Sequence, residues 1–191
     1  VTKLLTWLYD ATYDDMTDFK DITEQIAKES VNKFLATENF RLGVETPHLV
    51  FNYLDYLLWT KRDEAEYKNL NFAAFTFEFR NSVEHWYPQH PSDQSFTLWD
   101  ETDSLGKQVD RFGNLCLIQR NVNSKFSNLS PHSKYDTYRQ MIEKGSLKLR
   151  IMSNLTKNDA EWKDKICEKH EDEMIKLLQN VCNCDPIPNM G

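Results

Sequence analysis

The stretch Phe112-Gly113-Asn114-Leu115-Cys116-Leu117-Ile118-Gln119-Arg120-Asn121-Val122-Asn123-Ser124-Lys125 changes character in its middle. Asn114 to Arg120 is a short apolar run behind a glycine, with the length of a strand. Residues 123–128 are polar and open on an asparagine, a residue type that caps helix starts through its side-chain oxygen. A strand followed so soon by a short helix folds that helix back across the strand.

The partner for such a strand lies upstream. Phe75, Phe77 and Phe79 alternate with Thr76, Glu78 and Arg80, which predicts a half-buried strand with the three phenylalanines in the core. It runs into Val83-Glu84-His85-Trp86-Tyr87-Pro88. Pairing residues near 80–86 with 114–120 gives one small antiparallel hairpin. Pro88, Pro91 and a polar stretch through about residue 105 form the long loop between its arms.

Outside the hairpin the periodicity is helical. Residues 17–36 carry Phe19, Ile22, Ile26, Val31, Phe34 and Leu35 at helix spacing. Thr46-Pro47 predicts a second helix start, with a capping hydroxyl and proline in the first turn, and the helix stops near Lys61. Residues 63–71 read as a loop and 133–144 as a helix ending at Gly145. Residues 147–152 read as a short strand or extended piece. Asp159 is placed as the cap of a last amphipathic helix reaching Val181, with Trp162 on its apolar side. The expected fold class is therefore α+β and mostly helical. Residues 1–72 form a helical lead-in and 73–191 the unit that contains the hairpin.

The chain has 191 residues, 40% of them apolar and 13% aromatic, with five Gly and six Pro. That describes a globular chain with ample core material. No apolar run reaches the ~18 residues that a transmembrane helix needs, and the N-terminal apolar stretch is too short and polar-flanked for a signal peptide. Valine at position 1 suggests a fragment of a longer protein. Cys116, Cys167, Cys182 and Cys184 form no zinc-type pair of pairs, so structural zinc is not expected. Reduced thiols and a cytoplasmic setting are.

Net charge is −7, which argues against a generic nucleic-acid binder. Its distribution says more. Residues 1–105 carry net −10, 106–150 net +6, and 151–191 net −3. The basic middle is a candidate phosphate-binding face, with Arg111, Arg120, Lys125, Lys134, Lys144 and Lys148 as contacts.

Glu84-His85, Asn114 and Asn123 carry candidate chemistry. Phosphodiester hydrolysis needs a base for water and a divalent cation to stabilise charge on phosphate. Imidazole is the side chain suited to moving a proton near neutral pH, so His85 is the candidate base. Glu84 and Asn123 offer hard oxygens that suit Mg²⁺ or Mn²⁺. The Asn114 amide can brace the hairpin loop. His48 is assigned to a helix's first turn, His170 to the surface, and His90 and His132 to the neighbourhood of the site.

Glu84-His85-Trp86-Tyr87-Pro88-Gln89, Phe112-Gly113-Asn114-Leu115-Cys116-Leu117 and Asn123-Ser124-Lys125 together resemble the HNH, or His-Me finger, motif. More narrowly, they resemble the C-terminal nuclease domain of GmrSD-type modification-dependent restriction endonucleases, over roughly residues 75–180. The resemblance implies a ββα-metal unit within a helical domain, acting as the DNA-cutting half of a restriction or phage-defence protein. It implies His85 as general base, Asn114 as a supporting residue of the catalytic centre, and Glu84 and Asn123 as ligands of one Mg²⁺ or Mn²⁺. Lys134 matches a trailing lysine of that family and joins Lys125 and Arg120 as a phosphate contact. The implied partners are DNA, modified or not, and an N-terminal nucleotide-using, DNA-sensing domain. No Gly-rich phosphate loop marks such a domain in these residues. A second reading stays open: a helical interaction module with a silent or purely structural nuclease centre.

Overall fold

The computed structural model describes residues 19–37, 40–92, 99, 101–103, 106–158, 162 and 164–182. Among them are six α-helices: α1 (Phe19–Leu35), α2 (His48–Thr60), α3 (Arg120–Phe126), α4 (Pro131–Glu143), α5 (Leu147–Asn158) and α6 (Asp164–Cys182). Strand β1 (Ser82–His85) pairs antiparallel with β4 (Leu115–Ile118), in the register Ser82 to Ile118 and His85 to Leu115. Two residue pairs, β2 (Thr102–Asp103) and β3 (Gly106–Lys107), close a second ladder within the long loop. The chain is thus mostly helical α+β with one small hairpin, as its patterning indicates. No helix among the described residues is long and apolar enough to cross a membrane.

The hairpin is buried on both faces, which is why β4 reads as an unbroken apolar run. Side chains alternate along a strand. Val83, Leu115 and Leu117 enter one core with Val31 and Phe34 of α1, Leu54 and Leu58 of α2, and Met174 and Leu178 of α6. Cys116 and Ile118 enter the other, with Trp86, Phe126, Met152 and Trp162. Residues of the lead-in region therefore share a core with the hairpin and the last helix. Cys116 and Cys167 are free thiols, and burial pushes both up to about 12.

Several expectations change. Residues 75–81 form no strand, and of the three phenylalanines only Phe75 is buried. Phe77 is 59% and Phe79 83% exposed. The reason is the length of β4: its pairing ends with Ser82 opposite Ile118 and one further bond from Asn81 N to Ile118 O, after which the chain turns into α3. Nothing remains for residues 75–80 to pair with.

Residues 147–152 belong to α5 rather than an extended piece. Leu147, Lys148, Leu149 and Arg150 are all buried, so the two-residue alternation does not separate inside from outside. Besides Ser146 Oγ, which accepts from Leu149 N at 3.4 Å, this helix has a cap remote in sequence: Asp55 Oδ1, on α2, accepts from Leu147 N and Lys148 N at 2.9 and 3.2 Å. Burial lifts the Asp55 carboxyl to about 6 against the pull of those bonds. Thr46 does not cap α2; its hydroxyl donates to Gly43 O. His170 lies in the interior, not on the surface. It packs on Trp162, and burial, reinforced by the positive Lys148, holds its pKa well below the usual histidine value. Asp159 and Cys184, and the Cys182 side chain, fall outside the described residues.

Candidate active site

Glu84 and His85 are the last two residues of β1, and their side chains leave it on opposite faces. Glu84 shares its face with Ser82, Cys116 and Ile118. There it meets Lys134 from α4. The Lys134 ammonium is fully buried and donates to Glu84 Oε1 at 2.7 Å, His85 O at 2.7 Å and Trp86 O at 2.9 Å. Those three bonds use every proton it has. Burial pulls the Lys134 pKa down and pushes that of Glu84 up, and their mutual attraction opposes both shifts. Lys134 is therefore not a phosphate contact. It ties the end of β1 together, because a carboxylate and two carbonyls meet there out of reach of water.

Asn114 is the second brace. Its Oδ1 accepts from Tyr87 N at 2.8 Å and from Trp162 Nε1 at 3.0 Å. Its Nδ2 donates to Tyr87 O at 3.0 Å and Val109 O at 2.8 Å. With no exposed surface and four bonds made, the amide holds the chain on either side of the site and touches no substrate. Gly113 beside it is required by space, since a Cβ there would overlap the Cys167 carbonyl oxygen of α6.

On the other face, His85 Nε2 lies 2.8 Å from Asp110 Oδ1, and Gln89 Nε2 donates to the same oxygen at 3.0 Å. The bond from His85 is the main reason the Asp110 carboxyl sits below its ordinary pKa. Sequence reasoning missed Asp110. Its one signal was an acidic residue four positions before Asn114; the short 3-10 turns Gln108–Asp110 and Phe112–Asn114 bring it to His85.

Asn123 on α3 donates from Nδ2 to Ser82 Oγ at 2.6 Å, so the helix after β4 does cross β1. Ser82 and Glu84 share a face, which puts the Asn123 amide on the Glu84 side of the hairpin, away from His85. Among the described residues Asn123 Oδ1 and Glu84 Oε2 have no partner, and neither is sealed from solvent. Among the described residues no three His, Cys, Asp or Glu side chains converge as a metal cage.

Half of the expected cationic contacts point inward. Arg111 holds Glu171 of α6 at 2.7 Å, and Glu171 Oε2 accepts from Gly113 N at 2.9 Å. Lys148 Nζ donates to the carbonyls of Phe112, Gly113 and Leu115. Burial lowers its pKa to about 8. The basic residues that cluster in sequence thus serve in part as clamps on the loop before β4. Arg120, Lys125 and Lys144 are exposed, and Lys125 and Lys144 border a cleft floored by Ile118 and Leu149. His90 is exposed and His132 half-buried.

The sequence profile of the C-terminal domain of GmrSD restriction endonucleases matches residues 22–177. The match begins well before the motif residues and takes in α1 and α2, in keeping with the core those helices share with the hairpin. No significant match is found among curated proteins or among solved structures.

Proposed function

The chain belongs to the family of GmrSD restriction endonuclease C-terminal domains, and from that premise we propose that it is a metal-dependent HNH-type nuclease that cuts DNA at the end of β1. The observation that carries this is the hairpin-helix unit itself. Glu84 and His85 end one strand, β4 returns beside it, and α3 crosses with Asn123 bonded to Ser82.

The donor set suits Mg²⁺ or Mn²⁺. Two hard oxygens without protein partners, Glu84 Oε2 and Asn123 Oδ1, lie on one face and leave room for waters, as Mg²⁺ prefers. A divalent cation there would stabilise negative charge on the phosphate and on the leaving oxygen. The protein residues do the rest. Lys134 holds Glu84 and the β1 terminus in place. Glu84 and His85 leave the last two positions of β1 on opposite faces, so a phosphodiester that uses both has to lie across the strand end, between the two faces. His85 takes a proton from a water whose oxygen bonds to phosphorus. The bond from phosphorus to the sugar oxygen breaks, and that oxygen takes a proton from solvent. Arg120, Lys125 and Lys144 receive the neighbouring phosphates, and target choice belongs to a separate DNA-sensing domain.

The exposed Phe77 and Phe79 favour the second reading, an interaction module with a silent centre. Plasmid nicking decides. The 191-residue chain is expected to nick with Mg²⁺ or Mn²⁺ and not with chelator, and His85→Ala to lose about 10²–10⁴-fold. Undiminished nicking by that variant would overturn the assignment.

A further inference from the structure

We infer that Asp110 is the positioning residue of His85, and that by accepting the Nε2 proton it makes Nδ1 the nitrogen that takes the proton from water. The inference rests on the base role proposed above. Its own ground is the 2.8 Å contact between His85 Nε2 and Asp110 Oδ1.

A carboxylate only accepts hydrogen bonds, so the nitrogen facing it carries the proton. In neutral imidazole the other nitrogen then has the free lone pair. Among the described residues His85 Nδ1 has no partner, and it is not sealed from solvent, although the side chain as a whole is only 9% exposed. The carboxylate is itself fixed. Gln89 donates to the same Oδ1, and the backbone of neighbouring Val109 is pinned by Asn114. Gly43 approaches so closely, at a positive φ of 52°, that any added Cβ would stand 3.0 Å from Asp110 Oδ1. One amide, Asn114, thus links the loop after His85 to the turn that carries Asp110. Such an arrangement selects a tautomer and a ring orientation.

The test has two readouts on the full chain. The first is the ¹⁵N NMR signature of His85, at a pH where the ring is neutral. The wild type is expected to show a protonated Nε2 and a bare Nδ1, and Asp110→Ala a mixture of tautomers. A wild-type ring protonated on Nδ1, or a tautomer unchanged in Asp110→Ala, would overturn the inference. The second is nicking by a double-mutant cycle. Asp110→Ala is expected to lower the turnover rate about 10–100-fold with little change in the KM for DNA. It should cost nothing further in a His85→Ala background, because Asp110 acts through that ring. An equal loss in both backgrounds would assign Asp110 a merely structural role. If the wild type fails to nick while the NMR result holds, the nuclease reading falls and the positioning of His85 stands.

Discussion

Replacing Lys134 by Met tests most directly what its burial means. The substitution keeps side-chain volume and removes only the ammonium. Glu84, 5% exposed, is then left charged without a partner, and the carbonyls of His85 and Trp86 lose their donor. Breaking a buried pair from one side costs about 3–5 kcal/mol, much of the ~5–15 kcal/mol that holds a domain folded. The loss should depend on pH with a definite sign. The folded-state pKa of Glu84 already lies above its ordinary 4.5 and rises further without Lys134. Stability tied to a raised carboxyl is full below the unfolded pKa and is lost as pH climbs through the folded one. The deficit of Lys134→Met is therefore largest near pH 7 and shrinks toward pH 4. Adding Glu84→Gln removes the stranded charge and should return about 2 kcal/mol of the loss. Urea unfolding followed by tryptophan fluorescence measures all of this, since Trp86 and Trp162 are buried in the core beside the site. A change below ~1 kcal/mol at pH 7, the size expected of a surface lysine, would refute the clamp and restore Lys134 to the phosphate.

Asp55→Asn keeps the oxygen that caps α5 and removes a charge whose pKa burial has lifted from 3.8 to about 6. It should add about 1–3 kcal/mol at pH 7.5 and little at pH 4, because the penalty of a raised carboxyl builds as pH climbs from the unfolded pKa to the folded one; denaturant melts at both pH values decide. Asn123→Ala should raise the Mg²⁺ or Mn²⁺ concentration needed for half-maximal nicking, with only the small drop in melting temperature that loss of its bond to Ser82 brings, and an unchanged metal titration would remove Asn123 from the ligand set. With Arg120, Lys125 and Lys144 the three exposed members of the six candidate contacts, log K for DNA should fall with log salt at a slope of about −2.7 if these three make the phosphate contacts. Changing all three to Ala should flatten that slope, while Lys134→Met leaves it alone. Gly113→Ala should destabilise by about 1–3 kcal/mol or more through overlap with the Cys167 carbonyl, and a neutral result would mean that α6 yields at this point.

The hairpin and the family were legible because their signals are local. An apolar run, a Gly-Asn pair and a short polar helix stand within fourteen residues, 112–125, although that helix opens at Arg120 and Asn123, expected to cap it, lies inside it. What stayed hidden depends on partners far along the chain. The first two amides of α5 are held by Asp55, 92 residues before Leu147, which left only Ser146 as a local start signal beside a Leu147-Lys148-Leu149 alternation that pointed to a strand. A cluster of basic residues looks the same in sequence whether it faces water or carbonyls. Lys134 and Lys148 turn inward toward carbonyls at the end of β1 and in the loop before β4, and Arg111 toward the Glu171 carboxylate of α6. The phenylalanine alternation ran past the end of β4, and composition cannot say where a partner strand stops. Asp110 lies 25 residues from His85 with no spacing rule to join them.

The locks on the loop before β4 have a consequence for how the protein is made. Asn114 waits for Trp162, Gly113 for Glu171 and Cys167, and the carbonyls around Gly113 for Lys148. All of these are translated after the last residue of the hairpin-helix unit, Phe126 at the end of α3. A ribosome that has just released Asn123 has therefore exposed every proposed catalytic group, but not Lys148, Trp162 or Glu171, which complete the bracing of the loop before β4. The order of synthesis thus makes the final rigidity of the site a late event, reached only once α6 has emerged.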